Sequence, residues 1–141
     1  MSVQTTVVFA DLMGSTGVFE TIGSARGSRI VTQMTQWISA VCVAHNGQVV
    51  KTLGDGVLAV FAHAPDAIDA MVELQRDHQK RLLASSAGTR LPIRIGVARG
   101  EVEFIDDDCY GDAVNVASRL SDLSGPHQFW VNEQSLVVSA D

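Results

Sequence analysis

Cysteine is scarce in this chain of 141 residues, which contains only Cys42 and Cys109. They are far apart and form no CxxC pair, so neither a disulfide framework nor a zinc site is expected, and a reducing compartment is the default.

Long apolar runs are missing as well. No segment approaches the roughly 20 apolar residues of a bilayer-spanning helix, and the amino terminus lacks the pattern of a signal peptide. We therefore expect a soluble, cytoplasmic protein with no membrane segment in this chain.

Positive charge is also limited. The sequence has 10 Lys and Arg residues against 16 Asp and Glu, which gives a net charge of −6. Lysine occurs only at positions 51 and 80, and no basic cluster offers the phosphate contacts of a nucleic-acid-binding surface. The charge balance therefore argues against nucleic acid as a partner. An anionic ligand would need metal ions and backbone amides.

The remaining composition is typical of one packed globular domain. Apolar residues make up 46% of the chain and charged residues 18%, a balance that excludes a disordered segment. A chain of 141 residues has about the usual size of one domain and can bury roughly 70% of its unfolded surface. We predict a single domain over residues 1–141.

Hydrophobic periodicity predicts alternating strands and helices. Short apolar or alternating runs predict strands at residues 7–10, 48–53, 57–61, 93–97, 101–105 and 128–131. Apolar spacing of three and four predicts helices at about 29–45, from 64 onward, at 113–123 and near the end of the chain. We expect 101–105 to be the hairpin partner of 93–97. The order predicts a ferredoxin-like α+β fold of the βαββαβ type, with the helices on one face of the sheet.

Two aspartates are predicted to lie at neighbouring strand ends. Asp11 follows the apolar strand 7–10, and Asp55 occupies a Gly-Asp-Gly turn between two strands. A carboxylate that ends an apolar strand is costly unless it is capped, paired or bound to metal, whereas an aspartate in such a turn is often ordinary turn chemistry. Together with a backbone carbonyl such as that of Leu12, the two suit a pair of Mg²⁺ or Mn²⁺ ions.

Two further groups of residues are suited to bind a polyphosphate, and each also has a purely structural explanation. The backbone amides of Gly14, Ser15 and Thr16 stand before a predicted helix and favour anions, although small polar residues are also plain helix caps. Asn115 and Arg119, spaced i, i+4, project from one side of the third predicted helix. They could stabilise the negative charge that develops on phosphorus during phosphoryl transfer. Alternatively, they are part of an ordinary solvent-exposed helix face.

Four segments of the sequence resemble a known family. They are residues 9–16 (FADLMGST), 50–56 (VKTLGDG), 93–102 (IRIGVARGEV) and 110–120 (YGDAVNVASRL). Their order and spacing are similar to those of the class III nucleotidyl cyclase catalytic domain, which converts ATP to cyclic AMP or GTP to cyclic GMP. The resemblance covers residues 7 to about 135.

The resemblance implies a role for each candidate residue. It makes Asp11 and Asp55 the carboxylates that hold two Mg²⁺ or Mn²⁺ ions. It makes Asn115 and Arg119 the pair that stabilises the transition state. This role replaces the interpretation of the two residues as an ordinary solvent-exposed helix face.

The resemblance also assigns base recognition to Lys51 and to Asp108, which lies seven positions before Asn115. Lysine can donate to a ring nitrogen of adenine and aspartate can accept from its exocyclic amine, whereas guanine needs the opposite polarity. Guanine-selective members of the family use Glu and Cys at the two base-recognition positions. Cys109 directly follows Asp108, so a one-residue shift would make Cys109 the second base contact, although Lys51 would still favour adenine. The combination favours adenylate cyclase over guanylate cyclase.

The family forms each site between two subunits, so the resemblance implies a head-to-tail homodimer that binds ATP. The implied function is formation of 3′,5′-cyclic AMP and pyrophosphate in intracellular signalling. A guanylate cyclase, or a weak or inactive nucleotide-binding and dimerisation module, is the alternative. Family members usually continue with further strands and a second lysine, so we expect a domain that is short at its carboxy terminus. A regulatory domain elsewhere in a full-length protein is compatible with this.

Overall fold

The computed structural model describes residues 2–13, 20, 23–84, 91–125 and 128–137. Within these residues the chain forms one six-stranded sheet and four helices. Their bounds are β1 Ser2–Leu12, α1 Ser24–Ala44, β2 Gly47–Thr52, β3 Gly56–Phe61, α2 Ala64–Ala84, β4 Ile93–Ile105, β5 Asp108–Tyr110, α3 Asp112–Leu123, β6 Trp130–Val131 and α4 Glu133–Val137. Among the helices of these residues, none combines the length and apolar character needed to cross a bilayer.

The sheet has the strand order β2-β3-β1-β4-β5, and β6 pairs with β4. All neighbours are antiparallel except β4 and β6. Strand β1 lies at the centre, and its apolar residues Val7, Val8 and Ala10 are buried. The predicted α+β class is therefore confirmed, and β1 is longer than the predicted run 7–10 because β4 pairs with it along its whole length.

The prediction that the helices share one face of the sheet is wrong. Helices α1 and α2 cover the face that carries Ile93, Ile95 and Val97 of β4, whereas Ala113 and Ala117 of α3 pack against the opposite face. Both faces of the central strands are apolar, so each needs a helical cover. The outcome is a layer of two helices on one side and a single helix, α3, on the other.

The sequence pattern predicted that residues 101–105 would be the hairpin partner of 93–97, and this prediction is wrong. Residues 101–105 continue the same strand, because β1 pairs with β4 without interruption from Leu12 opposite Ile93 to Ser2 opposite Glu103. The chain reverses later, at Asp106 and Asp107, whose φ angles are 51° and 64°. Strand β5 is the real partner of the end of β4. The glycines of β4, Gly96 and Gly100, allow α3 to approach the sheet.

We expect Gly96→Ala to destabilise the domain by about 3 kcal/mol. A Cβ atom at Gly96 would overlap the backbone of α3 at Ala117 and Ser121, and a helix backbone cannot move aside as a flexible side chain can. Urea denaturation would measure the change. The matched control is Gly100→Ala on the same strand, whose new Cβ would lie 3.3 Å from the Ala113 Cβ. Equal unfolding midpoints for the two variants would contradict the close packing at Gly96.

Candidate active site

The structure brings Asp11 and Asp55 together, as the sequence predicted. Asp11 lies opposite Gly56 in the β1–β3 pairing, and the backbone N–H of Leu12 donates to the Asp55 carbonyl over 2.8 Å. The Asp55 carboxyl group lies close enough to that of Asp11 to raise its pKa. A Cβ at Gly56 would lie 3.3 Å from Asp11 Oδ1, so glycine keeps this edge of the sheet open beside the carboxylates. We call Asp11 and Asp55 the carboxylate pair.

The electrostatics of the carboxylate pair favour a bound cation. The pKa of Asp11 is raised from 3.8 to about 6, mainly by burial and then by the neighbouring Asp55 and Asp122, while Arg94 lowers it. Two carboxyl groups this close repel each other unless one of them holds a proton. A divalent cation could take the place of that proton and neutralise both groups. The raised pKa therefore marks a site where negative charge is not fully compensated.

The donor set at the carboxylate pair suits Mg²⁺ or Mn²⁺. Both ions prefer oxygen ligands and commonly keep one or two protein carboxylates together with substrate phosphates. No three His, Cys, Asp or Glu side chains cluster as a complete metal cage in the described part of the chain. The pair would therefore need backbone and substrate oxygens to complete the coordination, as an open catalytic site does.

Arg94 is a site residue that the sequence reasoning missed. It lies opposite Asp11 in the β1–β4 pairing. Its positive charge lowers the pKa of Asp11, whereas burial and the neighbouring carboxylates raise it. Its Nε is buried and has no hydrogen-bond partner among the described residues. A charged residue inside the apolar alternation of 93–97 was the available signal, but only the strand register places it beside Asp11.

Lys51 and Asp108 also lie together, although 57 positions separate them. Lys51 Nζ donates to Asp108 Oδ2 over 2.8 Å, while Asp108 Oδ1 accepts from the backbone N–H of Cys109 over 2.7 Å. Their hydrogen bond is the main reason why the pKa of Lys51 is raised and that of Asp108 is lowered. The side chains remain 41% and 24% exposed. The resemblance implies a role in base recognition for these two residues, and we therefore call them the base-recognition pair.

The contact between Lys51 and Asp108 depends on a bend in the sheet. Strands β2 and β5 stand at opposite ends of the strand order, so a flat sheet would keep these side chains apart. Residues 101–110, which we call the arm, curve back toward β2, and Phe104 of the arm shares a cavity with Val49 and Val50. The base-recognition pair is thus a product of tertiary structure.

Asn115 and Arg119 lie on α3, and both side chains are exposed. They stand away from Ala113 and Ala117, the α3 residues that pack on the sheet, so the predicted common side is confirmed. The position of Asn115 follows from the helix start at Asp112, directly after Gly111. The two side chains are available to a ligand or to a second subunit.

The predicted phosphate-binding residues Gly14, Ser15 and Thr16 lie outside the described residues. Leu12, whose carbonyl is a predicted metal ligand, is the last residue of β1 and has a buried side chain. Its backbone places it next to Asp55 as well as Asp11. The predicted role of its carbonyl remains a prediction.

The fold and the site together define a class of protein: an α+β domain of the nucleotidyl cyclase type. Comparison with known families agrees, since the adenylate and guanylate cyclase catalytic domain matches residues 2–139. The chain belongs to this family. The family includes enzymes for both purine nucleotides, so membership alone does not select ATP or GTP.

Individual relatives support the family and the fold. An adenylate cyclase of Streptomyces coelicolor is 30% identical over 118 residues, covering 84% of this chain and 29% of the relative. The solved adenylate/guanylate cyclase/hydrolase of Silicibacter pomeroyi is 31% identical, with a TM-score of 0.79 over 100% of this chain and 82% of the other. An adenylyl cyclase from P. aeruginosa, 21% identical, shares the fold with a TM-score of 0.80 and coverages of 100% and 83%. The chain spans 20% to 34% of the length of the curated relatives described by these comparisons.

Proposed function

We propose that this chain is a single catalytic domain that converts ATP to 3′,5′-cyclic AMP and pyrophosphate. The observation that carries the proposal is the 2.8 Å contact between Lys51 Nζ and Asp108 Oδ2, two residues from distant parts of the chain. A lysine beside an aspartate offers one donor and one acceptor within a few ångströms. This is the pattern that adenine, rather than guanine, can satisfy.

Adenine recognition divides between the two members of the base-recognition pair. Lys51 donates to a ring nitrogen of the base and Asp108 accepts from its exocyclic amine. Guanine carries a carbonyl oxygen at that position, and an ionised Asp108 would repel it. The lowered pKa of Asp108 keeps the carboxylate ionised and therefore acceptor-only.

The guanylate cyclase alternative loses support from the position of Cys109. Its side chain is only 3% exposed and packs in the core beneath α3, whereas the Asp108 side chain points to Lys51. A one-residue shift that placed Cys109 at the base would require β5 to turn over. Asp108 is therefore the better candidate for the second base contact.

The carboxylate pair supplies the second half of the proposed chemistry. Asp11, Asp55 and the Leu12 carbonyl would hold two Mg²⁺ or Mn²⁺ ions, which when bound neutralise phosphate charge and activate the ribose 3′-hydroxyl. Arg94, next to Asp11, would contact the triphosphate. The reaction is an in-line attack of the 3′-oxygen on the α-phosphorus, with pyrophosphate as the leaving group.

Two groups of residues complete the proposed site. The backbone amides of Gly14, Ser15 and Thr16 would bind the polyphosphate, as the sequence predicts. Asn115 and Arg119 would stabilise the charge that develops on the transferred phosphorus. Their exposure fits a site shared by two copies of the chain, so we propose a head-to-tail homodimer with two equivalent sites.

We expect wild-type protein to form cyclic AMP from ATP with Mn²⁺ or Mg²⁺, and Lys51→Glu with Asp108→Cys to shift the preference toward GTP. The double variant removes the adenine donor and the repulsion of the guanine carbonyl. Chromatography of the cyclic products from each nucleotide measures the preference. Lys80→Glu changes the only other lysine of the chain and should leave the preference unchanged.

Two outcomes would overturn the proposal. Wild-type protein that binds nucleotide but forms no cyclic product at high protein concentration would be a nucleotide-binding module. A wild-type preference for GTP would make the domain a guanylate cyclase.

A further inference from the structure

Strand β2 changes its register against β3 directly before Lys51. Val49 lies opposite Ala59. The next paired residue is Lys51, which lies opposite Leu58. Val50 is therefore an extra residue in β2 without a partner in the β3 register, and the strand contains a β-bulge at this position. A bulge interrupts the ladder, bends its strand and increases the local twist.

The bulge places two successive side chains on one face of the sheet. Val49 packs against the core that α1 and α2 cover, whereas Val50 packs against the opposite core, beneath α3. Leu58 belongs to this second core. Residues that lie opposite each other in a ladder share a face, so Lys51 is on the α3 face as well. Side chains of a regular strand alternate between the faces, and the bulge therefore sets the direction in which Lys51 leaves the sheet.

That direction matters because the partner of Lys51 belongs to the far end of the sheet. Four strand spacings separate β2 from β5 in the strand order, which corresponds to roughly 19 Å in a flat sheet with about 4.8 Å between strands. Lys51 Nζ nevertheless lies 2.8 Å from Asp108 Oδ2. The arm provides the curvature on the side of Asp108. On the other side the bulge bends β2 at the residue before Lys51.

Stability alone gives little reason for the extra residue. The Val50 side chain is only half-buried, and it lines with Phe104 a cavity of about 630 Å³ between β2 and the arm. Partial burial of a valine stabilises a protein by about as much as the ladder hydrogen bonds that a bulge forfeits. The two effects nearly cancel, so the direction of Lys51 is the feature that the bulge changes most.

We propose that the β-bulge at Val50 is a positioning device for base selection, which aims the ammonium group of Lys51 at Asp108. This inference rests on the proposed role of the base-recognition pair. Val50 is a positioning residue, because it acts through the side chain that follows it. The bulge does not extend to the turn between β2 and β3, where Leu53 and Gly56 exchange two backbone hydrogen bonds of 2.8 and 3.1 Å.

Deletion of Val50 tests the proposal, because it removes the bulge and keeps the strand pairs. The pairs on both sides of Val50 become consecutive, as in a regular ladder, so the shortened strand can still pair with β3. We expect the ratio of kcat/KM for ATP to that for GTP to fall about tenfold or more, the effect of one hydrogen bond from a charged group. Inhibition by tripolyphosphate with Mn²⁺, which has no base, should stay unchanged.

A second measurement needs no nucleotide. Competitive acetylation followed by mass spectrometry compares the reactivity of Lys51 with that of Lys80, the only other lysine of the chain. The hydrogen bond with Asp108 raises the pKa of Lys51, and only the unprotonated amine is a nucleophile. Deletion of Val50 should therefore raise the labelling of Lys51 relative to Lys80 toward the level found in Asp108→Asn.

Thr52→Ala is the control in the same strand. Thr52 is exposed and lies opposite Val57, a residue of the core that α1 and α2 cover. Its side chain is therefore on the face away from Lys51, and the substitution leaves the bulge intact. The nucleotide ratio, the inhibition by tripolyphosphate and the relative labelling should all equal those of wild-type protein.

A variant of full length covers the case in which the deletion protein does not fold. Val50→Lys combined with Lys51→Val keeps the bulge and the composition but moves the ammonium group by one residue. The relocated lysine should be labelled faster than Lys51 of wild-type protein, and the preference for ATP should fall as in the deletion.

The inference requires both changes in the variant that folds. Labelling that stays at the wild-type level overturns it, and so does increased labelling with an unchanged ATP:GTP ratio. Neither result would affect the proposed function, which wild-type activity decides. If wild-type protein forms no cyclic product, the ratio of ATP and GTP dissociation constants replaces the kinetic ratio, and the same two outcomes decide the role of the bulge.

Discussion

Asp11→Asn is expected to lower cyclic AMP formation by more than about 10³-fold, the equivalent of several kcal/mol of lost metal-assisted stabilisation of the transition state. Asparagine has nearly the same shape as aspartate but carries no charge to hold a divalent cation. The cyclic product formed by purified protein with ATP and Mn²⁺ measures the loss. Asp55→Asn should have a loss of similar size, because the two carboxylates act on the same ions.

The same substitution should stabilise the fold when no metal is present. The pKa of Asp11 is raised from 3.8 to about 6, so the folded state holds this proton more tightly than the unfolded state. Wild-type stability is therefore full below about pH 4 and declines as the pH rises through 6. Asn avoids that decline, and we expect a gain of about 1 kcal/mol at pH 8 after allowing for the partial exposure of Asp11.

Unfolding with urea in the presence of a chelator at pH 4 and pH 8 measures this effect. The gain should be much smaller at pH 4, where Asp11 is protonated in the folded state and only partly ionised in the unfolded state, than at pH 8, where it is ionised in both. Asp69→Asn, an exposed substitution on α2, should change neither activity nor stability at either pH. An Asp11→Asn protein that keeps full activity would contradict the metal role, and one that unfolds more easily at pH 8 would contradict the electrostatic account.

The part of the site that the sequence predicted depends on local signals. Asp11 ends an apolar strand and Asp55 lies in a glycine turn. Both features are determined by the few residues around them and do not depend on distant parts of the chain. Their convergence then follows from the antiparallel pairing of β1 with β3. The strand and helix order was predictable for the same reason, since periodicity and turn residues act over a few positions.

The features that the sequence missed depend on contacts between distant segments. No local pattern shows that the missing side chains of Gly96 and Gly100 serve the approach of α3 to the second face of the sheet. Arg94 faces Asp11 only because of the strand register. The proximity of Asp108 to Lys51 requires the arm to curve back, which no local pattern predicts. Resemblance to a family pointed to that pair, and the structure explains how the chain forms it.

Two inactive variants should restore activity when they are combined in one dimer. Asp11→Asn damages the metal half of a site, and Arg119→Ala damages the transition-state half, where loss of one donor costs about 10²- to 10³-fold in rate. If each site combines halves from two subunits, a mixed dimer has one site with both defects and one with neither. Coexpression at equal levels makes about half of the dimers mixed, each with one of its two sites intact, so activity should reach about a quarter of wild type.

The control pairs two substitutions in the same half of the site. Coexpressed Asp11→Asn and Asp55→Asn subunits damage the metal half of every site, whichever subunits combine, so no activity should return. Arg119→Ala with Asn115→Ala gives the corresponding control for the other half. Recovery in the first mixture and in neither control requires sites that are shared between subunits in a head-to-tail arrangement. Activity in none of the mixtures, with mixed dimers verified by two affinity tags, would place each complete site within one chain and contradict the proposed homodimeric mechanism.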